Sequence, residues 1–373
     1  MQEPSPYQSS GVDTTAGDRA VELMKNAVLE SHSSHVMGGV GGFAGLYDAS
    51  FLTGYRHPIL ATSTDGVGTK IAIAQAMDVH DTIGWDLVGM VVDDIVVVGA
   101  RPLFMTDYIA CGRVVPERIA DIVRGIAQAA KSCGVSLVGG ETAEHPGLMG
   151  PDDYDVAGAA TGVVEADAML DPRKVQPGDA VIALASSGLH SNGFSLVRKI
   201  VAEVGWDLHS VRPEFSRELG LELLEPTMLY TSSLVELLSA HPHALHMLSH
   251  VTGGGLAQNL SRVIPPGLAI DVDRSTWSPP AVMRVLAEAG GVSLGQVEDT
   301  WNMGIGMVAL VEESSASTVV SALEKSGHRA WQIGVVRSSD GEPTGDSITH
   351  AKGVEGGAIR LVGTYADSSS VSS

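Results

Sequence analysis

Apolar positions recur along this chain in two rhythms. Over residues 16–30, Val21, Met24 and Val28 fall on one stripe of a helix. Over residues 116–133 the same period is stronger. Ile119, Ile122, Val123, Ile126 and Ala130 form one apolar face, and Gly134 stands where a helix stops. Residues 69–77 read as a further helix. Short apolar runs at 59–63, 135–138 and 156–164 read as strands. Residues 86–100 carry both signals. Val96, Val97 and Val98 favour a strand, yet Asp86 and Asp93 lie seven apart, on one helical stripe. A strand would put Asp93 and Asp94 on opposite faces and bury one of them. A helix keeps them near one rim, so a helix is expected.

Pro172, Pro177 and Gly178 punctuate the chain and predict a boundary there. The expected division is 1–170 and 171–365, with a serine-rich tail at 366–373 that is expected to be disordered, as the polar first ten residues are expected to be frayed. Beyond the boundary the pattern predicts strands at 180–185, 247–251, 268–272, 305–311 and 331–336. Helices are expected at 194–204 and 226–240 and after residue 255. Strands flanked by helices indicate an α/β or α+β fold.

A chain of 373 residues fits two domains, at roughly 150 residues per domain. Its 44% hydrophobic and 18% charged residues rule out a disordered chain. Glycine is in excess, 44 residues, which predicts many tight turns or close backbone approaches to a ligand. Net charge is 23 − 44 = −21. That field repels nucleic acid and anionic membranes, so neither is expected as a partner. An acidic protein that binds phosphates needs cations as intermediaries. Cys111 and Cys133 cannot form a disulfide framework, so a reducing compartment, the cytoplasm, is expected. The N-terminus has no basic region leading into an apolar core, so no signal peptide is expected. No apolar run nears the ~20 residues of a membrane helix; the best, 87–100, is broken by Asp93 and Asp94.

Several segments could carry chemistry. Residues 35–45 hold five glycines in eleven positions and read either as a plain surface loop or as a lid whose bare backbone approaches a phosphate chain. In Ser63-Thr-Asp-Gly-Val-Gly-Thr-Lys70, Gly66 and Gly68 permit a sharp turn, Asp65 sits at a strand end within reach of a metal, and Lys70 offers charge to a phosphate. This is not a Walker P-loop. Asp81, Asp86, Asp93, Asp94, Glu141 and Glu144 could gather at strand and helix ends around a Mg²⁺-nucleotide. Asp94 stands out because its neighbourhood is apolar and an unpaired buried charge is costly. Ser187-Gly-Leu-His-Ser-Asn-Gly193 and Thr252-Gly-Gly-Gly255 each lead into a helix, an arrangement that suits anions or simple capping. His241, His243, His246 and His250 lack the partners of a zinc site. No Gly-x-Ser-x-Gly elbow surrounds a nucleophile.

Taken together, Gly11-Val-Asp13, Val36-Met-Gly-Gly-Val-Gly-Gly-Phe43, Thr64-Asp-Gly-Val-Gly-Thr-Lys70, His80-Asp-Thr-Ile-Gly84, Leu137-Val-Gly-Gly-Glu-Thr-Ala-Glu144, Tyr154-Asp-Val-Ala-Gly158, His190-Ser-Asn-Gly193 with Ser195-Leu-Val-Arg-Lys199, and Thr252-Gly-Gly-Gly255 resemble the phosphoribosylformylglycinamidine cyclo-ligase family. The resemblance runs in order from about residue 11 to 338. It departs at Asp93, where the family pattern has Asn. It implies a two-domain α/β (α+β) ATP-binding synthetase fold. An N-terminal sheet would pair across a homodimer as a barrel, and a C-terminal sheet would be packed with helices. It also implies ATP as cosubstrate, Mg²⁺, and formylglycinamidine ribonucleotide as substrate. That substrate would be closed to aminoimidazole ribonucleotide with release of ADP and phosphate.

Matching motifs assign Asp65, Asp94 and Glu141 to Mg²⁺, with Asp81 as a further candidate. Lys70 and Lys25 would contact phosphate. Gly38, Gly39, Gly41 and Gly42 would close over the nucleotide beside Gly66, Gly68 and Thr69. His190, Ser191, Asn192 and Gly193, with Thr252, Gly253 and Gly254, would hold the ribose phosphate, and His190 would transfer a proton. Related ATP enzymes are the nearest rivals. Selenophosphate synthetase would carry a Cys or selenocysteine in the glycine-rich loop, where residues 35–45 have none. A hydrogenase maturation factor would end in a reactive Cys, where this chain ends in serines; thiamine-phosphate kinase is a third. A non-catalytic nucleotide module could dispense with the carboxylates that are present here.

Overall fold

The structure is a computed structural model that describes residues 14–339 and 345–367. The first ten residues, the motif at 11–13 and residues 368–373 of the serine-rich tail lie outside the described residues. The chain divides into two compact units. One takes residues up to 95 together with 100–166; the other takes 96–99 and the chain from 167 onward.

The first unit runs α1 (Thr14–Ser31), β1 (Val36–Met37), β2 (Leu46–Tyr47), β3 (Pro58–Gly66), α2 (Ile71–Met77), α3 (Thr82–Val96), β4 (Arg101–Cys111), α4 (Pro116–Ser132), β5 (Ser136–Glu144) and β6 (Tyr154–Glu165). Its four-stranded sheet has the order β3-β6-β4-β5. β4 and β5 are parallel, joined through α4, and the other pairs are antiparallel. Helix α3 settles the ambiguity at 86–100. The Asp86–Asp93 stripe turns inward and both residues are fully buried, whereas Asp94 faces outward and is exposed. The buried acid is therefore Asp93, the position that departs from the family pattern, and not Asp94 as expected. Two glycines let α3 sit down on the sheet. A Cβ at Gly158 would stand 3.3 Å from Leu87 Cδ2, and one at Gly162 would stand 2.4 Å from Ile95 Cγ2. The opposite sheet face is open, with Leu60 62% and Tyr108 42% exposed.

The second unit contains β7 (Ala180–Ala185), α5 (Phe194–Glu203), β8 (Val211–Arg212), β9 (Arg217–Glu218), α6 (Leu219–Leu223), α7 (Thr231–Ala240), β10 (Leu245–His250), α8 (Gly255–Ser261), β11 (Leu268–Asp273), α9 (Ala281–Ala289), β12 (Ile305–Val311), α10 (Ala316–Lys325), β13 (Ala330–Ser338), β14 (Ile348–Ala351) and β15 (Val354–Val362). Seven of these strands form one sheet in the order β10-β12-β7-β13-β11-β15-β14. The helix expected from 226 begins at Thr231. Strand β12 is buried throughout, which explains its unbroken apolar run. The largest side chains of this core are Trp277, Trp301 and Tyr230. The Trp277 indole N–H donates to the Met303 carbonyl at 2.8 Å, so its polar edge is satisfied.

Candidate functional site

In the first unit a cavity of about 280 Å³ lies between α1, α4, β5 and the loop that joins β1 to β2. Ala20, Val21, Met24 and Val28 of α1 and Leu137 and Val138 of β5 supply apolar walls, and Gly39, Val40, Gly41 and Gly42 form a strap. The helical stripe legible in the sequence thus lines a cavity as well as a core. The strap is a hairpin rather than a free loop. Val36 pairs with Tyr47 and Met37 with Leu46. Gly45 returns so close to β5 that a Cβ there would stand 2.6 Å from the Val138 carbonyl oxygen. Tyr47 packs on Phe104 of β4 with ring centroids 5.1 Å apart, which fixes the base of the hairpin.

One polar side chain inside this apolar layer escapes sequence reasoning. Asp107 of β4 lines the cavity and is half-buried. The register carries a row from Asp65 through Gly158 and Asp107 to Gly140. Glycine at 140 is required there, because a Cβ would fall 1.8 Å from Asp107 Oδ1. Burial pushes the Asp107 carboxyl up to about 7, partly opposed by a hydrogen bond from its own backbone N–H. A lone acid among the inward positions Leu103, Met105, Ile109 and Cys111 was the signal that could have found it.

The carboxylates assigned to Mg²⁺ do not converge. Among the described residues no group of three or more His, Cys, Asp or Glu is placed to hold a metal ion. Asp65 is on β3 and Glu141 on β5, the two outer strands of the sheet. Three inter-strand steps of about 4.8 Å separate them. Glu141 pairs with Tyr108, one position past the Asp107 row, so strand alternation puts it on the other face from Asp65. Glu141 also lies within β5 and not at its end, because the strand continues through Gly139 and Gly140 to Glu144. Each acid spends one oxygen on a neighbouring backbone N–H: Gly66 to Asp65 Oδ1 at 2.7 Å and Thr142 to Glu141 Oε1 at 3.0 Å. Asp81, just before α3, is exposed.

Lys70 departs further from its expected role. Its Nζ donates to Asp86 Oδ1 at 2.8 Å, and both side chains are fully buried. Its charge neutralises an interior carboxylate, so a phosphate role is not available to it in this conformation. Gly68 has φ +74° and supplies the turn before Thr69 and Lys70.

In the second unit the two glycine turns meet. A Cβ at Gly253 would stand 3.5 Å from Asn192 Oδ1. Asn259 ties the second turn by donating Nδ2 to the Thr252 and Gly255 carbonyls at 3.1 and 2.8 Å. Asn302 ties the first, donating to the Gly188 carbonyl at 2.9 Å and accepting from Gly304 N–H at 2.8 Å. Neither asparagine carried a sequence signal. Gly193 (φ +76°) and Gly254 (φ +102°) adopt left-handed conformations ahead of their helices. Ser191 is buried and Asn192, Thr252 and Gly253 are partly exposed. His190 is 1% exposed, and its Nε2 accepts the Ser187 N–H at 3.2 Å. That contact and its burial suit it to shaping the turn, and they do not fit the proton transfer expected of it. A cavity of about 570 Å³ opens beside Gly254. Its Arg274 is held by Glu298 at 2.7 Å, and Asp299 and Asp346 add further acid. The bare backbone of the turns is therefore the better anion surface.

Likeness to known proteins turns this geometry into a class. Residues 48–164 match the family "AIR synthase related protein, N-terminal domain", and residues 176–344 match "AIR synthase related protein, C-terminal domain". The fold recurs at low sequence identity. A thiamine-monophosphate kinase from Stenotrophomonas maltophilia superposes with TM-score 0.65 at 17% identity, covering 93% of this chain and 97% of that one. Hydrogenase maturation protein HypE in complex with ATP gives 0.60 at 18% identity, covering 89% and 88%. The sequence is far nearer to another group. The phosphoribosylformylglycinamidine cyclo-ligase of Geobacillus sp. (strain WCH70) is 46% identical over 90% of this chain and 96% of its own length. That of Thermosynechococcus vestitus is 46% identical over 91% and 98%. The chain belongs to the phosphoribosylformylglycinamidine cyclo-ligase family, which consists of ATP-dependent ligases.

Proposed function

We propose that this protein closes formylglycinamidine ribonucleotide to 5-aminoimidazole ribonucleotide in purine biosynthesis, converting one ATP to ADP and phosphate. The observation that carries this reading is identity of 46% to cyclo-ligases along nine tenths of the chain. The chemistry has one obstacle. The formyl amide oxygen is a poor leaving group. Phosphorylation by ATP makes it an iminophosphate, and the ribose-bearing nitrogen then attacks the formyl carbon within the same molecule. The C–O bond breaks, phosphate departs with the former formyl oxygen, and loss of a proton completes the ring. The protein's task is to position the groups and offset charge.

The glycine strap of the first unit, Gly38 to Gly42, suits a backbone approach to nucleotide, and Lys25 lies on the helix that walls the same cavity. The paired turns of the second unit, at Ser191–Gly193 and Thr252–Gly254, present N–H groups to a phosphate ester. Asp65 and Glu141 each keep one carboxylate oxygen for a ligand. The two lie on opposite faces of the sheet, so a Mg²⁺ would be held by one of them alone, with its other positions left to phosphates and water; bound so, it would supply charge neutralisation. Asp94 is exposed on α3, and its motif assigns it to the same ion. The open face of the first unit's sheet, with Leu60 and Tyr108 uncovered, supports pairing with a second copy. Among the described residues no helix is long and apolar enough to cross a membrane. The two buried free cysteines agree with a cytoplasmic location.

The test is ADP release with and without formylglycinamidine ribonucleotide. Release that depends on this substrate and yields an aromatic amine supports the proposal. Release driven instead by thiamine monophosphate or selenide would move the protein to a rival within the fold. Nucleotide binding with no turnover would make it a binding module.

A further inference from the structure

The cavity beneath the glycine strap contains one feature that a phosphate site does not need. Its walls are apolar and its lining has no Lys or Arg. Among the described residues its ionisable side chains are Asp107 and His32; Glu141 borders it, with its side chain directed to the other face of the sheet. Triphosphate would be repelled there. A flat heterocycle would bury its faces against Val21, Met24 and Leu137, and its edge would need a polar partner. A volume of about 280 Å³ is small for a ligand pocket, which is typically ~300–1,000 Å³. It suits a base better than a whole nucleotide.

Resting on the ATP-dependent reading above, we infer that Asp107 reads the Watson–Crick edge of the adenine ring and sets the preference for ATP over 6-oxopurine nucleotides. Asp107 sits at an inward position of β4, in line with Gly140, and the missing side chain at 140 leaves the space its carboxyl occupies. Among the described residues no other side chain hydrogen-bonds to it. The His32 ring, from α1, is engaged with the Leu137 carbonyl at 2.9 Å. From α4 only Val123 faces the cavity.

The protonation state decides which base fits. A carboxylic acid donates its O–H to adenine N1 and accepts from the 6-amino group. A carboxylate would set an oxygen against the N1 lone pair, and it would favour the N–H-rich edge of guanine. Burial holds Asp107 protonated up to about pH 7, so the neutral, adenine-matching form persists through mildly acidic and neutral conditions. An asparagine at this position would present the same donor and acceptor pair at every pH.

The test uses the full-length protein and equilibrium binding of ATP and ITP at pH 6 and pH 8.5, independent of turnover. Asp107→Ala is expected to weaken ATP by about 10- to 100-fold at pH 6, the usual worth of a two-point contact to a base, and to level the ATP-to-ITP preference. The expected result for Asp107→Asn is a smaller loss of ATP affinity between the two pH values than wild type shows; titration of the phosphates is common to both proteins and cancels. Unchanged ATP affinity in the alanine variant overturns the inference, as does an asparagine variant that binds as poorly as alanine. These outcomes are separable from the proposed reaction. A wild type that binds ATP through Asp107 yet makes no aminoimidazole would sink the function and leave this inference standing.

Discussion

Lys70 is the sharpest test of the reasoning, because its motif assigns it to phosphate and its surroundings assign it to the core. Replacing it by methionine removes the ammonium 2.8 Å from Asp86 and leaves that carboxylate fully buried. Breaking one partner of such a pair costs about 3–5 kcal/mol. A unit of this size loses about 2–4 °C in melting temperature per kcal/mol, so Lys70→Met should lower the transition of the first unit by roughly 6–20 °C in scanning calorimetry. The double variant Lys70→Met/Asp86→Leu removes both charges and should recover most of that loss, since apolar replacements of buried pairs are often neutral. A single variant that melts normally but loses turnover would refute the structural role and return Lys70 to the phosphate.

Three further outcomes follow from the geometry. Asp94→Asn should fold normally, since the side chain is exposed, and should lower turnover by about 10²-fold, as for a lost electrostatic group; near-normal ADP release would remove Asp94 from the mechanism. Gly39→Val meets no atom within 4 Å, so melting should not change while the KM for ATP rises; an unchanged KM would make the strap ordinary surface. Asp107→Asn should stabilise the protein above pH 7. The raised carboxyl costs nothing well below its unfolded value of 3.8, and the cost grows to its full size above about 7. The ceiling is about 4 kcal/mol, and partial exposure reduces it to roughly 1–2 kcal/mol. Urea unfolding at pH 5 and pH 8 measures the difference, and a gain that grows towards acid would have the wrong sign.

Periodicity carried the helices well. The stripes of α1 and α4 are where Val21, Met24, Ile122 and Ile126 put them, and α3 was legible from the spacing of Asp86 and Asp93. Periodicity could not say which way that stripe faced, because the partner of Asp86 is Lys70, sixteen residues away. Strand β4, although central to the first sheet, went unread. Asp107 interrupts its inward alternation at the point where the fold makes a cavity. Strand β5 was cut short at 138 for a related reason: Gly139 and Gly140 interrupt its apolar run, yet Gly140 is there to admit the Asp107 carboxyl. The turns at 187–193 and 252–255 were legible as motifs, and their contact through Asn192 and Gly253 was not, since it depends on tertiary packing. The same holds for the carboxylates: motif matching named them, and sheet order keeps Asp65 and Glu141 apart.

The account rests on activation of the formyl oxygen by ATP, and isotope transfer tests this most directly. Formylglycinamidine ribonucleotide carrying ¹⁸O in its formyl group would be turned over with unlabelled ATP, and the released phosphate analysed by mass. The account predicts one ¹⁸O in each phosphate, formed together with one aminoimidazole ring. Unlabelled phosphate accompanying ring formation would contradict it.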